Sequence, residues 1–97
     1  MNKNSKEDYK KSVKTLRNIL NGVDPEGFAP GQEDGTPIDE YDAEAAKIYN
    51  FVIHNLEEIK LNNNLLVDEI NKIWLESFRK ACDSAKEITS RVIKSLF

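Results

Sequence analysis

Cysteine, histidine, tryptophan and methionine occur once each in these 97 residues, and glycine and proline are scarce, at four and three. A single cysteine cannot close an internal disulfide, which points to a reducing interior, with the cytoplasm as the expected compartment. One histidine, no cysteine pair and no H-E-x-x-H spacing leave no metal-ligand motif, and no cofactor is expected. No apolar run exceeds three residues, as in Phe51-Val52-Ile53 and Leu65-Leu66-Val67, so neither a transmembrane helix nor the apolar middle of a signal peptide is expected. The polar stretch from Met1 to Tyr9 carries no export signal. No segment alternates with period two, so strands are not expected, and no internal repeat stands out.

What is present is helical periodicity. The chain is 39% hydrophobic and 32% charged, a globular balance, and its length suits one domain spanning residues 1–97. Tyr9, Val13, Leu16, Leu20 and Val23 recur at steps of four and three, one face of a helix from about Ser5 to Asn21. Ser5 with Asp8 resembles a capping box, and Gly22 is the expected stop. A second helix is expected from near Asp39, with Ala45, Ile48, Tyr49, Val52, Leu56 and Ile59 inward and Asp39 as its cap. Leu61-Asn62-Asn63-Asn64 reads as a tight connector. From Leu65 to Phe97 the apolar phase never breaks, which favours one long helix. The Ser84/Glu87 capping box, and the overhang a helix of that length would have, favour two segments. The sequence leaves both open, with two favoured. The expected fold is all-α, a small antiparallel bundle of three or four helices with a long acidic loop between the first two.

That loop, about residues 22–38, holds every glycine and proline. Asp24-Pro25-Glu26-Gly27 suits a type I turn and Ala29-Pro30-Gly31-Gln32 a type II turn, with Gly31 at the position of positive φ. Phe28, between them, is expected to pin the loop to the core. Charge is as uneven as composition. Residues 1–21 carry a net +4 and residues 45–97 a net +1, while residues 22–44 hold eight acids, no base and a net −8. Nucleic acid would be repelled by that stretch, so a protein with a basic surface is the expected partner.

The remaining chemistry-bearing residues have plain readings. His54 lies off the apolar stripe as a partly exposed helix residue, Cys82 reads as a small buried thiol, and Trp74 and Tyr49 sit on core stripes. The Lys-rich face of the first helix is most simply solvated. The acids around Asp39-Glu40-Tyr41-Asp42 suit a helix start, yet capping explains only one or two of the eight. The stretch does not match the calcium-loop spacing, and Pro37 interrupts its best acidic run. Asp24, Glu26, Phe28, Asp39, Glu40, Tyr41 and Asp42 are therefore the candidate partner-binding residues, with the acids steering and Tyr41 and Phe28 as anchors.

Asp24-Pro25-Glu26-Gly27, a variable acidic stretch and Pro37-Ile38-Asp39-Glu40-Tyr41-Asp42 before an amphipathic helix carry a likeness. Over about residues 9–75 the chain resembles small helical bacterial proteins, known as domains of unknown function, with a D-P-x-G … P-x-D-E-Y-D pattern. Some of these are regarded as candidate immunity proteins. The resemblance implies that the loop and the following helix start form one conformational unit. The leading expectation, from the acidic loop and helix start, is a non-enzymatic protein-binding module that docks on a basic protein surface, with an immunity or inhibitor protein as the candidate. A divalent-metal-binding domain using the same carboxylates, and a structural module that self-associates through its last helix, are the alternatives.

Overall fold

The computed structural model describes residues 5–97, with side chains from Asp8 onward. Its elements are α1 (Ser5–Val23), α2 (Asp42–His54), α3 (Leu56–Leu61), α4 (Asn64–Phe78) and α5 (Ala85–Leu96), with no strand among the described residues. The all-helical class is as the periodicity predicts. The expected three or four helices become five, because the second is broken.

Leu16, Ile19 and Leu20 of α1 are buried, Val13 and Val23 are half-buried against the core, and Tyr9 lies at its edge. The Tyr9 ring meets Tyr49 edge-on at 5.3 Å between centroids. The cap expected at Ser5 lies outside the described side chains. Gly22 does not stop α1. The helix runs through it and ends at Asp24, whose φ of +50° is left-handed and whose N–H donates to the Leu20 carbonyl at 2.7 Å. Aspartate tolerates this region better than most residues because its short carboxylate can bond locally.

In α2, Ala45, Ile48 and Val52 are buried. The helix fails at Asn55, where the backbone leaves helical values at φ −137° and ψ +29°. There the Asn55 amide Nδ2 donates to the Phe51 carbonyl at 2.8 Å. A side chain that takes the i−4 carbonyl competes with the backbone for it, which is why asparagine weakens helix interiors. The break turns α3 so that Ile59 is buried while Leu56, expected inward, is exposed. At the expected connector the Asn62 side chain accepts the Asn64 N–H at 3.1 Å and α4 begins.

The stretch after Leu65 is two helices. α4 ends at Phe78, Arg79 is left-handed at φ +63°, and α5 starts at Ala85. The link folds back because the Cys82 N–H donates to Asn71 Oδ1 on α4 at 2.8 Å, which leaves Cys82 buried and Ala81 exposed. Ser84 does occupy the cap position, but its side chain makes no capping bond. Its expected partner Glu87 is engaged instead by Arg91 one turn on, at 2.7 Å. Helix α1 packs on α2 and α5, α4 packs on the same two, and α3 leans on α4 and α2. Leu16, Leu20, Ile48, Val52, Leu66, Ile70, Trp74, Ile88 and Val92 fill the space between them. No helix among the described residues is long and apolar enough to cross a membrane.

Candidate functional site

Residues 24–41 contain no helix, and their shape follows from hydrogen bonds together with the burial of Tyr41 and Phe28. Both expected turns close: the Gly27 N–H donates to the Asp24 carbonyl and the Gln32 N–H to the Ala29 carbonyl, each at 3.1 Å. Gly31 has the positive φ, +78°, that the second turn requires. Thr36 then ties the loop shut, donating its N–H to Phe28 O at 3.0 Å and accepting the Gly31 N–H at 2.8 Å. Gly35 is demanded by crowding, since a Cβ built there would run into the Ala29 carbonyl oxygen. Such doubly closed loops hold a shape that composition alone would not suggest.

The two ends of the segment meet at Tyr41. Its ring is fully buried, stacked on Phe28 at 5.4 Å and next to Trp74 at 6.1 Å. The Tyr41 hydroxyl donates to Asp24 Oδ1 at 2.9 Å and accepts the Glu26 N–H at 3.0 Å. Asp24 also receives the N–H groups of Phe28 at 2.9 Å and Ala29 at 3.0 Å. Partial burial pushes the Asp24 carboxyl up, but hydrogen bonds from Ala29, Tyr41 and Phe28 outweigh it and hold the group below its ordinary range. Burial, with the nearby Asp24 and Glu26 charges, pushes the Tyr41 phenol far up against the opposing Glu26 N–H bond. Its hydroxyl therefore keeps its proton for Asp24 beyond the usual tyrosine range.

Glu26 reaches across to the C-terminal end of α4. Its side chain is 9% exposed, with Oε1 paired to Lys80 Nζ at 3.0 Å and Oε2 accepting the Trp74 indole N–H at 2.8 Å. A carboxylate this enclosed is stable only because both oxygens find donors. Asp42, at the start of α2, takes a two-pronged contact from Arg17 of α1, at 2.9 Å from Nε and 2.6 Å from Nη2. Phe28 pins the loop as expected, against Tyr41 and, at 5.8 Å, Phe78.

These contacts redraw the candidate set. Asp24, Glu26, Phe28 and Tyr41 come together as an internal clasp, Asp42 is paired separately with Arg17, and Tyr41 has no surface left to anchor a partner. Asp39 does not cap α2, which starts three residues later with Tyr41 at the cap position and no side-chain capping bond. The chain instead spends residues 37–42 on two turns, Glu40 N–H to Pro37 O at 3.2 Å and Asp42 N–H to Asp39 O at 3.0 Å, that bring Tyr41 inward. Asp39 and Glu40 stay exposed, as do Glu33 and Asp34, and no ion pair reaches any of the four among the described residues. Beside them Ile38 is 57% exposed, its side chain lying over Gly31 and its carbonyl held by Asn21 Nδ2 at 2.9 Å. Ile38 escapes sequence reasoning because it belongs to no helical stripe. Its one signal is an apolar residue between Pro37 and a pair of acids. Arg17, Trp74 and Lys80 are likewise absent from the candidate set, being distant in sequence from the acids they hold.

A hollow of about 530 Å³ between the end of α1 and the loop is lined partly by Asp24, Glu33 and Asp34. Their carboxylates do not converge: among the described residues no group of three or more His, Cys, Asp or Glu could hold a metal ion. His54 is exposed, with Nδ1 against the Asn50 carbonyl at 2.7 Å, and burial pushes the Cys82 thiol up, away from the reactive thiolate. No family model, curated protein or solved structure matches the chain.

Proposed function

We propose that this chain is a non-enzymatic protein-binding module that docks on a basic protein surface through Glu33, Asp34, Ile38, Asp39 and Glu40. The carrying observation is that these four acids enter no ion pair among the described residues and accompany an exposed isoleucine on a loop whose backbone is fixed from within. A fixed loop loses little conformational freedom on binding, and uncompensated acids speed encounter with a basic partner while repelling nucleic acid. An immunity or inhibitor protein needs these properties and no catalytic group, in keeping with the resemblance of the two loop motifs to that class. The same reading takes the four longer helices as an antiparallel bundle with this acidic loop between its first two members. The lone buried cysteine supports a reducing, cytoplasmic setting.

The test is capture from the native cell's lysate at low and moderate salt, comparing wild type with E33Q/D34N/D39N/E40Q. A stoichiometric basic protein held by wild type and lost by the variant, with thermal unfolding unchanged, is the expected result. Equal capture by both would return the acids to a solubility role.

A further inference from the structure

The charge asymmetry of the sequence becomes a spatial arrangement in the fold. Thr15, Asn18 and Ile19 of α1 and Arg91, Lys94 and Ser95 of α5 line an open groove of about 430 Å³. Ile19 provides an apolar floor, and the Thr15 hydroxyl is already committed to the Lys11 carbonyl at 3.0 Å. Lys11, one turn before Thr15, stands on the same side of α1 just outside the groove's own lining. Arg91 is shared with Glu87, whereas Lys11 and Lys94 are exposed and enter no ion pair among the described residues. The groove is thus a polar-walled slot floored by Ile19 and bordered by Arg91 and Lys94, with Lys11 beside it.

Its end adjoins the acidic loop. The Arg91 guanidinium lies alongside Gly22, within 3.5 Å of where a Cβ would stand, and Asn21 and Gly22 also line the hollow faced by Glu33 and Asp34. Basic groove and acidic loop are therefore neighbours on one molecule, yet no ion pair joins them among the described residues. Two adjacent patches of opposite sign that cannot satisfy each other internally become self-complementary under a two-fold rotation, the symmetry of most dimers. The loop supplies an exposed isoleucine flanked by acids, and the groove offers an apolar floor flanked by bases.

We infer that the occupant of the groove is a second copy of this chain, the Ile38 of each protomer seated over Ile19 of its partner with Asp39 and Glu40 opposite Lys94 and Lys11. This rests on the outer loop face being a binding surface, as proposed above. It adds that self-association covers that face, so a basic partner and the second copy compete for it.

Light scattering on the full chain over a wide concentration range, at low and high salt, tests the inference through a charge swap. Wild type is expected to double its mass with concentration at low salt and to lose this at high salt. K11E/K94E and D39K/E40K, both at exposed positions and checked for helicity by circular dichroism, should each weaken dimerisation by about a hundredfold or more, because like charges then face each other. An equimolar mixture of the two variants should dimerise again, since each then meets its opposite. A wild type that stays monomeric, variants that dimerise like wild type, or a mixture that stays monomeric would each overturn the inference. The two proposals separate cleanly. K11E/K94E keeps the loop intact, so it still captures a basic partner if the loop binds one, whatever its oligomeric state.

Discussion

Asp24, Glu26 and Asp42 belong to the same acid-rich stretch as Glu33, Asp34, Asp39 and Glu40, and composition treats all seven alike. The fold does not. Asp24 is held by Tyr41, Glu26 ties the loop to Trp74 of α4 and to Lys80, and Asp42 joins α2 to Arg17 of α1. The other four stand exposed and enter no ion pair among the described residues, Asp39 feeling the Arg17 charge only at longer range. The clasped acids do structural work that turns a long segment into a fixed shape, and the free acids inherit that shape as a presentable surface. Counting charges in a loop therefore says little about binding until the donors that claim some of them are located.

Trp74→Ala should test the comparison hardest. It removes a fully buried ring and the indole donor to Glu26, a loss of about 3–5 kcal/mol to be read from urea unfolding. A loss under about 1 kcal/mol would mean that the loop is not anchored on α4. Tyr41→Phe keeps the ring but leaves the Glu26 N–H without its acceptor and removes one of the two donors to Asp24 Oδ1, which keeps the Phe28 N–H, and should cost about 1–3 kcal/mol. A neutral result would dissolve the distinction between clasped and free acids.

The pH dependence sharpens the contrast further. Asp24 titrates lower in the folded protein, so its stabilising contribution is complete above the unfolded value of about 3.9 and is lost as pH falls through the folded one. Tyr41 titrates higher when folded, so stability should decline as pH rises above its unfolded value of about 10. Asp24→Asn should flatten the acid limb in pH-resolved melts and also weaken the alkaline limb in part, because burial still raises the Tyr41 phenol but the Asp24 charge no longer does; an unchanged acid limb would contradict the role given to Asp24. Smallest of all is the expected effect of E33Q, D34N, D39N or E40Q on stability, within about 0.5 kcal/mol each. A larger loss at any of them would reveal a partner inside the fold and move that residue to the clasped set.

Much of the architecture was legible because it is local. The four-and-three spacing of Leu16, Leu20, Ile48, Val52, Ile70, Trp74, Ile88 and Val92 identifies the helical faces, and the glycines and prolines between Gly22 and Pro37 mark the one long irregular segment. Both turns and the role of Phe28 could be read from a few adjacent residues. The helix breaks were harder. Gly22 looked like a stop, yet Asp24 ends α1 because its carboxylate finds the Phe28 and Ala29 amides. Asn55 interrupts α2 through a bond to Phe51 that any helical asparagine could make and few do. The candidate site was legible as a place but not as a set of roles.

By itself the sequence determined the helical class, the position of the irregular segment and the separation of basic and acidic stretches, since each depends on neighbours within a turn or two of chain. Only the tertiary structure decided that Tyr41 is buried, that Glu26 belongs to Trp74 and Lys80, that Asp42 belongs to Arg17, and that Ile38 is left outside. A charged side chain is committed or free according to whether a donor arrives within hydrogen-bond reach, and those donors come from chain segments whose approach is set by how the helices pack.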